Sequence, residues 1–221
     1  MLSLNTPTYV RLRNQLLSDI VAGIWPLGSQ VTLAELASHY QVSANPVREA
    51  LLQLQGEGVI VMRMNRGAVI PQVDAQFIDN LYRIRGAIQM MLIRDVATKA
   101  TDDDIARLRS LVDAFGQASQ RHDTVACVAA NRELHHAIDE LAANPMALEM
   151  LEGRSSLVDA YRSSMGYGEG RSERAHAQHV DLVEAIAVRD PDKAASISLA
   201  HTEAARIDLA DMARKRPSQP H

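Results

Sequence analysis

The stretch Ser43-Ala-Asn-Pro-Val-Arg-Glu-Ala-Leu51 decides how the first third of this chain reads. A polar residue in the capping position, a proline in the first turn and an arginine two residues later open a helix. Its outward side carries Asn45 and Arg48, while Val47, Ala50, Leu51 and Leu54 form an apolar stripe. A short apolar helix, Leu33–Tyr40, precedes it across the turn Gln41-Val42. That pairing is a helix-turn-helix, whose second helix enters a DNA major groove. Downstream, Gly58-Val-Ile-Val-Met-Arg63 and Ala68-Val-Ile-Pro-Gln-Val73 flank Met64-Asn-Arg-Gly67. Two β-branched runs around a Gly-containing turn predict a hairpin, the wing of a winged helix.

In this reading Ser43 caps the recognition helix and Asn45 and Arg48 point into the groove, Arg being matched to guanine O6 and N7. Arg66-Gly67 at the hairpin tip sets a cation within reach of a minor groove or a phosphate. The structural alternatives are an Arg48 paired with Glu49 or Glu35 and a merely solvated Arg66.

Net charge does little to support or oppose this. The chain of 221 residues carries −4 overall; residues 1–73 hold +1 and the remainder −5. The contrast has the right sign but is small, so affinity must come from a few placed arginines and from doubling the site in a dimer. With 47% hydrophobic residues and only 4% aromatic, the core is expected to be Leu, Ile, Val, Ala and Met, as in helical bundles. No eighteen-residue apolar run and no basic-then-apolar leader occur, so neither a membrane span nor a signal peptide is expected. The single cysteine, Cys127, excludes an intramolecular disulfide and fits a reducing cytoplasm.

Ahead of the motif, Thr8–Ala22 has helical apolar spacing and ends at Gly23, followed by the turn Trp25-Pro-Leu-Gly28. After Pro71, with Asp74 as a cap, no strand signal competes with helix. Helices are predicted at 75–99, 102–120, 123–143, 145–165, 172–189 and 191–214, punctuated by Thr101-Asp-Asp-Asp, His122-Asp123, Asn144-Pro145, Gly166–Gly170 and Asp190-Pro191. The fold class is therefore mainly α: a winged helix-turn-helix over 1–73, then an antiparallel six-helix bundle over 74–221.

The bundle carries a second constellation. Asn131 and His135 are spaced i, i+4 on one helical face, and His179 and His201 lie on apolar faces of the last two helices. Imidazoles aimed into an interior are costly unless bonded, and a divalent metal is one partner; ordinary hydrogen-bonded core histidines are the other reading. Three nitrogens and one oxygen suit zinc, or nickel, iron or manganese. His122, His136 and His176 fall off these faces and are expected in solvent. Arg85 sits among Leu81, Ile88 and Leu92, so it needs an anion, either an acid across the bundle or domain junction or a bound carboxylate. Tyr82 and Tyr161 are further pocket candidates.

Leu33-Ala-Glu-Leu-Ala37, Val42-Ser43, Pro46-Val-Arg-Glu-Ala-Leu51, Glu57-Gly58 and Asn65-Arg-Gly67 resemble the GntR family of bacterial transcription regulators, across the whole of residues 8–73. The family's usual Arg after the capping Ser is Ala44 here, and Asn45 replaces the usual Thr, so operator sequence does not carry over. The helical remainder resembles the FadR-like subgroup with an FCD-type effector domain. That resemblance implies a metal held by Asn131, His135, His179 and His201, with Asn131 standing where many members have Asp. Arg85 matches a Leu-Tyr-x-x-Arg step whose following Glu is Gln89 here. It further implies a cytoplasmic homodimer binding an operator and a small organic acid, with no membrane partner, most simply as a repressor. The alternatives are a bundle that serves only dimerisation and a metal-dependent enzyme fused to a DNA-binding head. No His-Glu-x-x-His, Gly-x-Ser-x-Gly or Walker-type loop is present, so no enzyme is expected.

Overall fold

A computed structural model describes residues 6–64 and 66–215; Asn65, in the wing tip, lies outside them. The chain divides into two compact units. Residues 1–73 with 152–164 form the first, and 74–151 with 165–221 the second.

In the first unit, α1 (Thr8–Val21), α2 (Leu33–His39) and α3 (Ala44–Gly56) accompany β1 (Gln30–Val31), β2 (Val61–Arg63) and β3 (Gly67–Val69). The stripe predicted for α3 is the buried one: Val47, Ala50, Leu51 and Leu54 are all within 1% of full burial. Leu12, Leu16 and Ile20 of α1, Leu36 of α2 and Ile60, Ala68 and Ile70 around the hairpin are buried with them, and α3 packs against α1, α2 and β2. Thr32 caps α2 through a reciprocal capping box with Glu35. Gln41, at φ 53°, makes the tight turn into α3. Buried Asp19 of α1 accepts from Tyr40 Oη at 2.6 Å and Gln15 Nε2 at 2.8 Å, and Tyr40 Oη accepts from Trp25 Nε1 at 2.8 Å. This polar chain ties the end of α1 to the end of α2, and burial together with the Asp19 hydrogen bond raises the Tyr40 phenol above its ordinary range.

The hairpin is antiparallel, Arg63 facing Gly67 and Val61 facing Val69. It has a third strand that the sequence reading missed. β1 pairs with β3 on its other side, Gln30 opposite Val69 and Val31 opposite Ala68. At two residues, between Gly28 and the cap of α2, β1 is too short to show a period. Its presence explains Gly67, which is buried at φ +82° and would place a Cβ 2.1 Å from the Val31 carbonyl oxygen. Gly67→Ala is accordingly expected to cost about 2 kcal/mol. The loss should appear in the thermal unfolding of the full chain; an unchanged transition would disprove the β1–β3 register.

The second unit contains α4 (Ala75–Lys99), α5 (Asp102–Gln120), α6 (Thr124–Leu141), the first part of α7 (Pro145–Met165), α8 (Arg171–Ala187) and α9 (Pro191–Lys215). The predicted punctuation is made of real caps. Asp74 accepts from Phe77 N–H, Thr101 and Asp104 form a capping box, Asp123 accepts from Ala126 N–H, and Asn144 and Asp190 accept from Ala147 and Lys193 N–H. Two helices, α6 and α8, stop two residues short of the predicted ends, where non-glycine residues with positive φ, Ala143 and Arg189, close the connections; α5 ends at Gln120 as predicted, and His122 after it has the same backbone conformation. No glycine marks those turns in the sequence.

Leu92, Ile93 and Val96 of α4, Leu108 and Val112 of α5, Leu134 and Ile138 of α6 and Leu182, Val183 and Ile186 of α8 form the main core. α4 packs along α9, and α5 along α6 and α8. Arg206 of α9 pairs with Asp79 of α4 and with Glu203. Among the described residues no helix is long and apolar enough to cross a membrane.

Candidate metal centre and nucleic-acid interface

The second unit brings three of the predicted ligands together. His135 on α6, His179 on α8 and His201 on α9 offer ring nitrogens that all lie within 4.8 Å of one another. Their ring centroids are 4.6–5.3 Å apart. Each histidine takes part in the inward stripe of its helix, next to Leu134, Leu182 and Val183, and Ala205. The edge of Phe115 on α5 closes one side at 4.9 Å from His179. Directly beyond it, Gly116 lets α8 approach, since a Cβ there would fall 2.5 Å from His176 Nε2. His176 is thus half-buried and stacked near Phe115, not solvated as predicted, whereas His122 and His136 are exposed.

Burial holds all three imidazoles neutral. It pushes His135 and His201 well below the ordinary histidine range and His179 down to about 3, with the Arg171 guanidinium acting in the same direction on each. Gln178 Oε1, an acceptor only, lies 3.1 Å from His201 Nδ1. His201 therefore carries its proton on Nδ1 and presents Nε2 as a free lone pair. Gln89 Nε2 is 3.5 Å from His135 Nδ1, while its Oε1 accepts from Thr202 Oγ1 at 3.3 Å and from Arg85 Nε at 3.4 Å. His179 is fully buried, and neither of its ring nitrogens has a hydrogen-bond partner. An orphaned imidazole costs free energy in a protein interior. Neutral nitrogens converging from three helices, one of them with no protein partner, are the donor set a divalent ion takes. Asn131 lies one turn before His135 on α6 and is half-buried.

Arg85 is half-buried on α4, with Tyr82 near it on the same helix. Asp139, a residue sequence reasoning missed, is 7% exposed; burial raises its carboxyl to about 6, against the opposing pull of Arg85 and a Gln89 hydrogen bond. It extends the i, i+4 series of Asn131 and His135, and that spacing was the available signal. Thr202 and Gln178, which sequence reasoning also missed, adjoin predicted ligands in sequence. Tyr161 is buried within the α7 segment of the first unit, whereas Tyr82, Arg85 and the histidines belong to the second.

In the first unit Ser43, Asn45 and Arg48 are all exposed, opposite the buried stripe of α3. Ser43 occupies the N-cap position with extended backbone, but contrary to the sequence reading its side chain makes no capping hydrogen bond. The positive end of the α3 dipole is therefore not satisfied by its own cap. It borders an open cleft of about 400 Å³ lined by Thr8, Tyr9, Val42, Ser43, Asn45, Pro46 and Glu49. Glu35 is engaged by Thr32, and among the described residues no ion pair holds Arg48. Arg66 is exposed at the hairpin tip, where its carbonyl accepts from Gln30 Nε2 at 2.7 Å. Beside it Gly67 is buried in β3, so the backbone turn and not surface contact accounts for the glycine.

Comparison with known proteins bears on both units. Residues 8–70 match the family model for bacterial regulatory proteins of the gntR family, and residues 80–204 match the FCD domain model. The chain is 23% identical to the HTH-type transcriptional regulator YdhC of Bacillus subtilis (strain 168) over 89% of its own length and 88% of the relative's. It is 27% identical to the Nta operon transcriptional regulator of Aminobacter aminovorans, over 80% of this chain and 82% of that one. The solved structure of Escherichia coli McbR/YncC superimposes with a TM-score of 0.80 at 21% identity, covering 93% of this chain and 98% of that one, a likeness of fold.

Proposed function

The chain belongs to the gntR family of bacterial regulatory proteins and is a DNA-binding transcription regulator with an FCD domain, not an enzyme; from that premise we propose that it is a cytoplasmic, homodimeric repressor whose bundle binds a divalent metal and a small carboxylate effector. The division of labour follows the sequence boundary: residues 1–73 read the operator and 74–221 bind the effector and dimerise.

The observation that carries the metal reading is His179, fully buried with both ring nitrogens unpartnered beside two other neutral imidazoles. Zinc fits such a set first, with nickel, manganese or iron as alternatives, and Asn131 completes it from one turn away on α6. When bound, the ion supplies a Lewis-acid position for a carboxylate oxygen. The chain's own residues do the rest. Gln178 fixes the His201 tautomer so that Nε2 faces the centre. Arg85 supplies the cation that orients an anionic group, with Gln89 holding its Nε, and Tyr82 on the same helix contributes to effector recognition. Burial keeps the histidines deprotonated at neutral pH, ready to coordinate.

In the head, Arg48 and Asn45 contact base edges. The uncapped N-terminus of α3 at Ser43 meets a phosphate, and Arg66 reaches the backbone or minor groove from the wing while Gly67 shapes the turn. Effector binding changes the relative placement of the two heads of a dimer and hence their fit to two half-sites.

Elemental analysis of the purified protein combined with a thermal-shift screen of small acids tests the proposal. One metal ion per chain is expected, and an acid present at a hundred times its dissociation constant should add about 2.7 kcal/mol of stability. Metal-free protein, or a bundle that answers to no acid, would leave the second unit as an assembly domain alone.

A further inference from the structure

The solvent-facing side of α3 carries Ala44, Asn45, Arg48, Glu49, Leu52 and Gln55, all exposed, opposite the buried Val47, Ala50, Leu51 and Leu54. Their hydrogen-bonding capacities differ. Ala44 and Leu52, the latter 51% exposed, bring no hydrogen-bonding side-chain atom. Gln55 Oε1 accepts from the Met62 N–H at 2.9 Å, so that oxygen is taken by the first strand of the hairpin. Asn45, Arg48 and Glu49 remain, and among the described residues their side chains make no hydrogen bond or ion pair.

These three are not equivalent as readers of base edges. A guanidinium only donates, which matches the paired acceptors O6 and N7 of guanine. A carboxylate only accepts, which matches exocyclic amino groups. Asn45 alone offers a donor and an acceptor side by side, the complement of adenine N7 and N6 in the major groove. Glu49 follows Asn45 by one helical turn, on the same side of α3. A carboxylate there opposes guanine, whose edge presents acceptors, and tolerates adenine with its amino group. Asn45 lies in the first turn, the part of a recognition helix that reaches base edges. Side chains three residues apart have Cβ atoms about 5–6 Å apart, against about 3.4 Å between stacked bases. Asn45 and Arg48 therefore reach base pairs one or two steps apart.

We propose that Asn45 is the specificity-determining residue that reads adenine, and that each operator half-site carries this adenine one or two base pairs from the guanine read by Arg48. This rests on the reading of α3 as the helix that enters the major groove, and it commits that helix to two named bases.

The test starts with the full-length protein and a random-sequence duplex library, from which bound duplexes are enriched and sequenced. The enriched half-site should hold a guanine and an adenine at that spacing. Fluorescence anisotropy on the enriched duplex then probes the adenine atom by atom. Replacing it with 7-deazaadenine, which lacks the N7 acceptor, should weaken wild-type binding about tenfold, within the range for one bidentate base contact. Asn45→Ala should make the two duplexes bind alike and flatten the preference at that position only. Asn45→Asp, which can only accept, should shift the preference toward cytosine. Arg48→Ala should flatten the guanine position and leave the adenine preference in place. An enriched half-site with no adenine at that spacing overturns the inference, as does a wild-type protein indifferent to 7-deazaadenine. An Asn45→Ala protein that keeps its adenine preference, or that loses affinity equally for every duplex, overturns it too, because the amide would then touch the backbone. These results leave DNA recognition by α3 standing, whereas a library from which nothing is enriched sinks that reading as well.

Discussion

Stripping the metal should lower the stability of the bundle by about 4 kcal/mol when the ion had been present at a thousand times its dissociation constant. The effect is large because His135, His179 and His201 come from α6, α8 and α9, so one ion would cross-link three helices. His179→Ala should remove most of the metal and most of this stabilisation in one step, since its two nitrogens serve no other partner. The pH dependence has a definite sign. The folded pKa values are depressed, so the imidazoles are neutral in the native state while the unfolded chain binds protons below about 6.5. Stability is therefore fully present above that value and falls as pH drops toward the folded pKa, about 3 for His179. The slope is about 1.4 kcal/mol per pH unit for each histidine that must charge on unfolding. Calorimetric unfolding with and without chelator, from pH 7.5 to 5, measures both effects. Identical transitions with and without chelator, or a His179→Ala protein that keeps its metal, would reduce these histidines to core residues.

What the sequence made legible follows from the range of the forces involved. Caps, first-turn prolines and apolar periodicity are local, so α4 to α9 were readable to within one or two residues, and the stripe of α3 was readable residue by residue. The three ring positions were readable because a histidine on an apolar face is already out of place. Ala143 and Arg189 show where local reading ends: their left-handed backbone is imposed by the packing of the helices they join, and nothing in their side chains announces it. Arg171 is the clearest instance at the site. An arginine after a glycine-rich loop reads as solvated, and only tertiary contact with Gln178 and His201 turns it inward. Ser43 is the converse: the residue type is right for a cap and the position is the cap, yet its hydroxyl makes no capping bond.

Arg48→Ala should weaken operator binding by roughly 1–3 kcal/mol for each half-site, hence about 2–6 kcal/mol for a dimer on a two-fold site. The size of the effect follows from how Arg48 is held. It is exposed on the side of α3 away from Val47 and Ala50, and no ion pair among the described residues competes for its guanidinium. With alanine at position 44, where the resembled family has an arginine, the proposed base-edge recognition on this helix would rest more heavily on Arg48. Because Arg48 lies in solvent and outside the buried stripe, its removal should leave the melting temperature unchanged, which separates recognition from folding. Arg66→Ala should differ in kind: affinity falls for operator and random DNA alike, and the slope of log affinity against log salt becomes shallower by about one for each phosphate that the wing no longer neutralises. Fluorescence anisotropy on operator and non-operator duplexes across a salt series reads both. An Arg48→Ala protein with wild-type operator affinity would remove α3 from the groove, and an Arg66→Ala protein with the wild-type salt slope would leave the wing out of DNA binding altogether.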